Sequence, residues 1–333
     1  MTSVLTLPQT VDDFTFEQVL AQLAAVPADA RLLVDARHAR WASPYGLTGL
    51  LAIAQARGAE GNRPAFAPPE ADDTLSYWAR TGFFRHAEPL YEMARPVPRR
   101  PAGESSVLLE ITPVAKAGDV HEIIGHIQER SAAILHDGLG LDTRATIGFS
   151  MTLSEACQNI VEHAQRGGWV AVQTYTWTKR LGRRVVVIAV CDAGVGFRRS
   201  LESNTARPRS DRWDDGMALE EAVLRSVSRF RDPGRGQGLA GIRRYVSKWD
   251  GKLAVRSGTA RIALVPEWDD DQALREGLAE FPGAQVQITI PAAVPNAGGA
   301  ARKGGAGAER PAARQTPARP APAPAAPAPN LGL

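Results

Sequence analysis

The run Val185-Val186-Val187-Ile188-Ala189-Val190 is apolar throughout, as the central strand of a sheet is. It closes in Cys191-Asp192-Ala193-Gly194-Val195-Gly196. An aspartate at a strand end fixes a carboxylate at the floor of a pocket, and alternate glycines let backbone come close to a ligand. The same residues also read as an ordinary strand-ending turn. Whatever the chain becomes, a sheet has to be built around this strand.

Upstream, Ser154 to Ala164 reads as part of one helix that starts near Asp142, a good N-cap, and runs to Ala164. Glu155, Asn159 and His163 recur every fourth residue and so rise along one stripe. Ala156, Cys157, Ile160, Val161 and Ala164 supply a core face. A carboxylate and a carboxamide one turn apart can hold a hydrated Mg²⁺ beside a phosphate chain. They are also common on a solvated face. Downstream, Gly234-Arg235-Gly236-Gln237-Gly238-Leu239 opens a helix carrying Ile242, Tyr245 and Val246. Backbone N–H groups of a glycine loop at a helix N-terminus favour phosphates.

Two other patterns fail on context. Gly236 to Gly241 satisfies G-x-G-x-x-G, but the dinucleotide fingerprint needs a strand directly before it, and here Ser228 to Pro233 read as a helix end and a turn. His121 and His126 stand five residues apart, which rotates them to different helix faces, unlike a zinc-protease pair. They read as solvent-facing.

Taken in order, residues 1–91 alternate strand and helix signals and predict a small α/β layer domain. Residues 92–104 read as a Pro/Arg-rich linker. Residues 105–292 then give a strand at Val107–Ile111 and a helix from about Asp119 to His136. After the long helix come strands at Trp169–Thr178, alternating and half-buried, and at Arg184–Cys191. A helix near Leu239–Lys248 and strands near Leu253–Arg256, Arg261–Val265 and Gln285–Ile290 complete the unit. Residues 267–283 are an acidic insertion expected to be helical around Gln272–Glu280. Residues 198–233 are expected to form a mobile cover. The tail from Ala293 has almost no large apolar side chains and is expected to be disordered.

The helix, the Asp192 turn and the Gly234 loop, in this order, resemble the N, G1 and G2 boxes of the GHKL (Bergerat-fold, HATPase) ATP-binding domain. The resemblance covers roughly 104–292 and is closest to the anti-sigma-factor serine kinases, through Glu155-x-x-x-Asn159-x-x-x-His163. Residues 1–91 resemble the STAS domain of anti-sigma-factor antagonists, through Leu32-Leu33-Val34-Asp35-Ala36 and Trp41-Ala42-Ser43-Pro44-Tyr45-Gly46-Leu47. Pro44 and Tyr45 occupy the places of that family's two serines, which leaves a docking role. The implied fold class is α/β, two α+β two-layer sandwiches in sequence.

The resemblance implies ATP and Mg²⁺ as cofactors. Asn159 would hold the metal. Asp192 would accept a hydrogen bond from the adenine amino group, with Gly194 and Gly196 shaping the pocket and Thr289 supporting Asp192 through water. Gly236, Gly238 and Leu239 would cradle phosphates. Glu155 would be the general base. Arg235 or Arg243 supplies charge, or is simply solvated; His163 lies near the phosphates, or makes a structural hydrogen bond. The implied activity is serine/threonine phosphorylation of a regulatory protein such as an anti-sigma antagonist or sigma factor. The alternative is a catalytically silent, nucleotide-gated binding module. A sensor histidine kinase would need an upstream helical hairpin with a phospho-acceptor histidine. Hsp90- or MutL-like action would need further domains. A homodimer is compatible with either main reading.

Composition narrows the setting. The formal net charge of +3 comes from the tail, where Arg302, Lys303, Arg310, Arg314 and Arg319 face Glu309 alone; the rest is slightly acidic, so no nucleic-acid partner is expected. No apolar run approaches a membrane span, and the first residues lack signal-peptide character, so the expected location is cytoplasmic. Cys157 and Cys191 lie in apolar segments and read as core residues.

Overall fold

The computed structural model describes residues 2–27, 29–59, 61–98, 109–131, 135–136, 139–178, 181–202, 213–227 and 238–293. Outside them lie the tail beyond Ala293, the second part of the linker (99–104), Val107 and Leu108, part of the expected cover, and the Gly234–Gln237 stretch.

The N-terminal part runs β1 (Thr2–Thr6), β2 (Thr10–Val11), α1 (Phe16–Ala24), β3 (Arg31–Asp35), β4 (Trp41–Ala42), α2 (Pro44–Ala59), β5 (Ala65–Ala67), α3 (Asp72–Arg80), α4 (Phe83–Ala87) and β6 (Glu92–Met93). A four-stranded parallel sheet has the order β1-β3-β5-β6. Parallel neighbours need crossovers, and the helices supply them. The sheet continues past residue 91, because Glu92 and Met93 pair with Ala65 and Phe66.

The rest comprises β7 (Leu109–Val114), α5 (Ala117–Ser131), α6 (Thr143–Asn159), β8 (Gly168–Trp177), β9 (Arg183–Asp192), α7 (Gly196–Glu202), α8 (Asp215–Val223), α9 (Gly238–Lys248), β10 (Lys252–Gly258), β11 (Ala260–Leu264), β12 (Leu274–Arg275) and β13 (Phe281–Pro291). Seven antiparallel strands have the order β12-β11-β10-β13-β9-β8-β7. The Val185–Val190 run lies inside this sheet, between β13 and β8. Its even-numbered residues, Val186, Ile188 and Val190, share a core with Leu153, Cys157 and Ile242 of the helices. Asp142 caps α6 by accepting from the Ala145 N–H at 2.7 Å.

The odd-numbered face of β9 belongs to a second core. Ala189 and Cys191 pack with Ala171 and Trp169 of β8 and with Leu47, Leu50 and Ile53 of α2. Helix α2 is apolar around its whole circumference because it is sandwiched between the two sheets. This corrects the expectation for β8: residues Gly168–Gln173 are buried on both faces, not half-buried, since α2 covers the side expected to meet water.

The acidic insertion is not helical; it contains the short strand β12 and runs into the start of β13 at Phe281. Two of its carboxylates, Asp269 and Asp271, are drawn inward. Lys252 Nζ lies 2.7 Å from Asp271, 3.0 Å from Asp269 and 3.8 Å from Asp13. Arg261 reaches Asp271 at 2.6 Å and Asp13 at 3.4 Å, and Arg256 meets Glu17 at 2.9 Å. These charges are buried, and they tie the β10–β11 face to the loop before α1 and to α1 itself. Burial alone would raise the Asp271 carboxyl, but hydrogen bonds and charge from Arg261 and Lys252 outweigh it and hold the group at about 2. Asp13 shifts up instead, because its burial outweighs the same two cations. No helix among the described residues is long and apolar enough to cross a membrane.

Candidate functional site

Helix α6 carries Glu155 and Asn159 in its last turns, and the next five residues, Ile160–Ala164, form a π-helical turn. The expected single helix to Ala164 is thus widened at its end, a device frequent at functional sites. Glu155, Asn159 and His163 all line one cleft. Asp192 enters it from β9, Gly196 and Ser200 from α7, Gly238 and Leu239 from α9, and Ala284 and Val286 from β13.

Asp192 is the buried carboxylate of this cleft, 8% exposed. Burial pushes its pKa up to about 7, against the pull of the Gly194 and Ala284 amides. Its Oδ1 accepts the Gly194 N–H at 2.8 Å. The carboxylate keeps further acceptor capacity for a donor inside the cleft.

Gly194 does not line the cleft. A Cβ there would lie 2.1 Å from the Ala164 carbonyl oxygen, so glycine lets the Asp192 turn rest directly on the end of the π-turn. Gly196 does line it, and its φ of +71° suits glycine.

The Glu155 carboxylate lies directly over Gly238, the first residue of α9; a Cβ on Gly238 would fall 1.9 Å from Oε1. Burial and the neighbouring charge of Glu162 shift the Glu155 carboxyl upward. His163 Nδ1 and Ser200 Oγ are hydrogen-bonded at 3.0 Å.

One expectation changes. Thr289 does not support Asp192. In the antiparallel register Asp192 pairs with Ala284, whereas Thr289 pairs with Val187, five positions along. Thr289 also shares its face with Gln285 and Gln287, on the α2 side of the sheet, while Asp192 points into the cleft. Ala284, the residue opposite Asp192 on β13, carries no hydroxyl. Arg243 is absent from the cleft lining and donates to the Leu224 and Val223 carbonyls at the end of α8. Arg235 and Gly236 lie outside the described residues.

Sequence reasoning missed Phe197, Ser200 and Leu201 as lining residues. Their i, i+3, i+4 spacing just after the Asp192 turn was the available signal, since it marks one face of a helix.

Residues 122–251 match the histidine kinase-like ATPase domain family. The chain therefore carries a GHKL-type ATPase domain, and such a domain implies ATP binding. The match spans α6, the π-turn, β8, β9 and α9, the elements that supply most of the cleft. No curated protein matches the chain.

The donor set of the ATPase cleft suits a magnesium nucleotide. Asn159 offers one side-chain oxygen beside the Glu155 carboxylate, and no cluster of three or more His, Cys, Asp or Glu side chains fit to hold a metal occurs among the described residues. Mg²⁺ takes one or two protein oxygens and completes its shell with phosphate and water, unlike a metal held in an all-protein cage.

Proposed function

We propose that this chain is a cytoplasmic regulatory ATP-binding protein that phosphorylates a serine or threonine on a separate protein, as anti-sigma-factor kinases do, with a STAS-like module fused in front. The observation that carries the reading is the convergence of Glu155, Asn159, Asp192 and Gly238 on one cleft. Asp192 accepts the adenine amino group, and Leu239 and Gly238 border the phosphates at the start of α9. Mg²⁺, held by Asn159, neutralises phosphate charge when bound.

Glu155 takes the proton of the incoming hydroxyl as its oxygen bonds to the γ-phosphorus and the β–γ bridge breaks. An upward-shifted carboxyl is better matched to that proton than an ordinary one. The acceptor belongs to another protein, such as an anti-sigma antagonist. This is supported by burial of Ser43, Pro44 and Tyr45, the stretch standing where the STAS family is phosphorylated.

The test is phosphotransfer from Mg-ATP to co-purifying proteins. Glu155→Gln should cut transfer by about 10²–10⁴ while leaving ATP affinity near wild type. Asn159→Ala should weaken both. ATP binding with no labelled protein would instead make the chain a nucleotide-gated binding module.

A further inference from the structure

The floor of the ATPase cleft has a back side, and the N-terminal module is built onto it. Cys191, the residue before Asp192, turns its thiol away from the cleft, beside the side chains of Thr48 on α2 and Gln285 on β13. Gln285 pairs with Cys191 across the sheet and is the neighbour of Ala284, which pairs with Asp192. Its Nε2 donates to the Tyr45 carbonyl at the start of α2, at 3.3 Å. Thr48, Gln285 and Cys191 are almost wholly buried.

The fit is tight as well as polar. A Cβ on Gly49 would fall 2.6 Å from the Gln285 amide nitrogen and 2.4 Å from the Phe16 ring. Nearly two helical turns further on, Gln55 Nε2 donates to the Arg166 carbonyl at 3.1 Å, just beyond the π-turn that carries His163. Helix α2 thus touches the rear of the Asp192 strand, its β13 neighbour and the exit of the Asn159–His163 segment.

We propose that Gln285 and Thr48 are positioning residues for nucleotide recognition: through them α2 of the N-terminal module sets where Asp192 stands, so that this module is part of the adenine site without touching adenine. The proposal rests on the nucleotide reading of the cleft. A one-residue shift of β9 would turn Asp192 onto the α2 face, and smaller displacements misaim its carboxylate. An adenine-specific contact is more sensitive to such misplacement than the phosphate contacts are, because a hydrogen bond weakens steeply with angle.

The experiment is a double-mutant cycle on the full-length protein, read as ATP and GTP dissociation constants, with thermal melting to confirm that each variant folds. In the wild type ATP should bind more tightly than GTP. Gln285→Leu and Thr48→Val should each narrow that preference, Gln285→Leu by about five-fold or more, with melting still cooperative. In an Asp192→Asn background neither substitution should reduce ATP affinity further, because the contact they position is already gone. Gln285→Glu, which keeps the length and an oxygen but removes the amide donor, should behave like Gln285→Leu. Full wild-type selectivity in Gln285→Leu, or equal losses with and without Asp192, would overturn the positioning role. A wild type that binds neither nucleotide would overturn the nucleotide reading and this inference with it.

Discussion

At the scale of single residues, the proposed nucleotide site depends on one buried carboxylate, which in that reading must be charged to work. Burial places the Asp192 pKa at about 7, well above an ordinary aspartate. Only the ionised form offers its full acceptor capacity to an amino group. ATP affinity should therefore rise with pH through about 7 and level off above it, measurable by calorimetric titration between pH 5.5 and 8.5. Stability of the nucleotide-free protein should move the other way. A raised folded-state pKa favours folding most below the unfolded value near 3.8, and this contribution is lost as pH rises through about 7.

Gly194 gives a second prediction at this scale. Its alanine variant should lose about 1–3 kcal/mol in chemical denaturation, because the new methyl group meets the Ala164 backbone. The roles of Asp192 and of the glycines could be posed from sequence because each is a short local pattern. That Gly194 serves contact with the π-turn and Gly196 the cleft was not legible, because it depends on which segment lies opposite.

Among the elements, those with local signals were readable: the Asp142 cap, the apolar run of β9, and the helix opened by Gly238. The misread elements were decided by partners remote in sequence. Thr289 was assigned to Asp192 through the family resemblance, but pairing register and face are set by the sheet, and both place it elsewhere. Residues 272–280 have helix-compatible composition. Yet ion pairing with Lys252 and Arg261, which also reach Asp13, draws the adjoining Asp269 and Asp271 into the interior, and of the segment only Leu274–Arg275 takes regular structure, as a short strand.

That cluster should therefore be expensive to break. Asp271→Ala leaves two buried cations short of a partner and should cost about 3 kcal/mol in urea unfolding. The Asp271 contribution itself should persist from neutral pH down to about 4 and fade as pH drops through about 2, as for any carboxyl whose folded pKa is depressed. The Asp13 carboxyl, shifted upward, works against it over the lower end of that range.

For the whole molecule, the consequence is that two sequence units share a core. Ile111, Trp169, Ala171, Ala189, Cys191 and Phe281 of the ATPase part are buried together with Leu50, Ile53 and Phe66 of the N-terminal part. Composition and a Pro/Arg-rich stretch suggested two modules joined by a linker; nothing local shows that α2 would be covered on both sides. Removing residues 1–98 should expose the β8–β9–β13 face and give a protein that aggregates on expression, checked by size-exclusion chromatography against the full chain. In the proposed function, a nucleotide is held by Asp192 in the cleft under α6 and α9. The most direct test is calorimetric titration of Mg-ATP into the full-length protein and its Asp192→Asn variant at pH 8. Saturable one-to-one binding that weakens about ten- to hundred-fold in the variant is the predicted result. No binding to the wild type, or equal binding by both proteins, would contradict it.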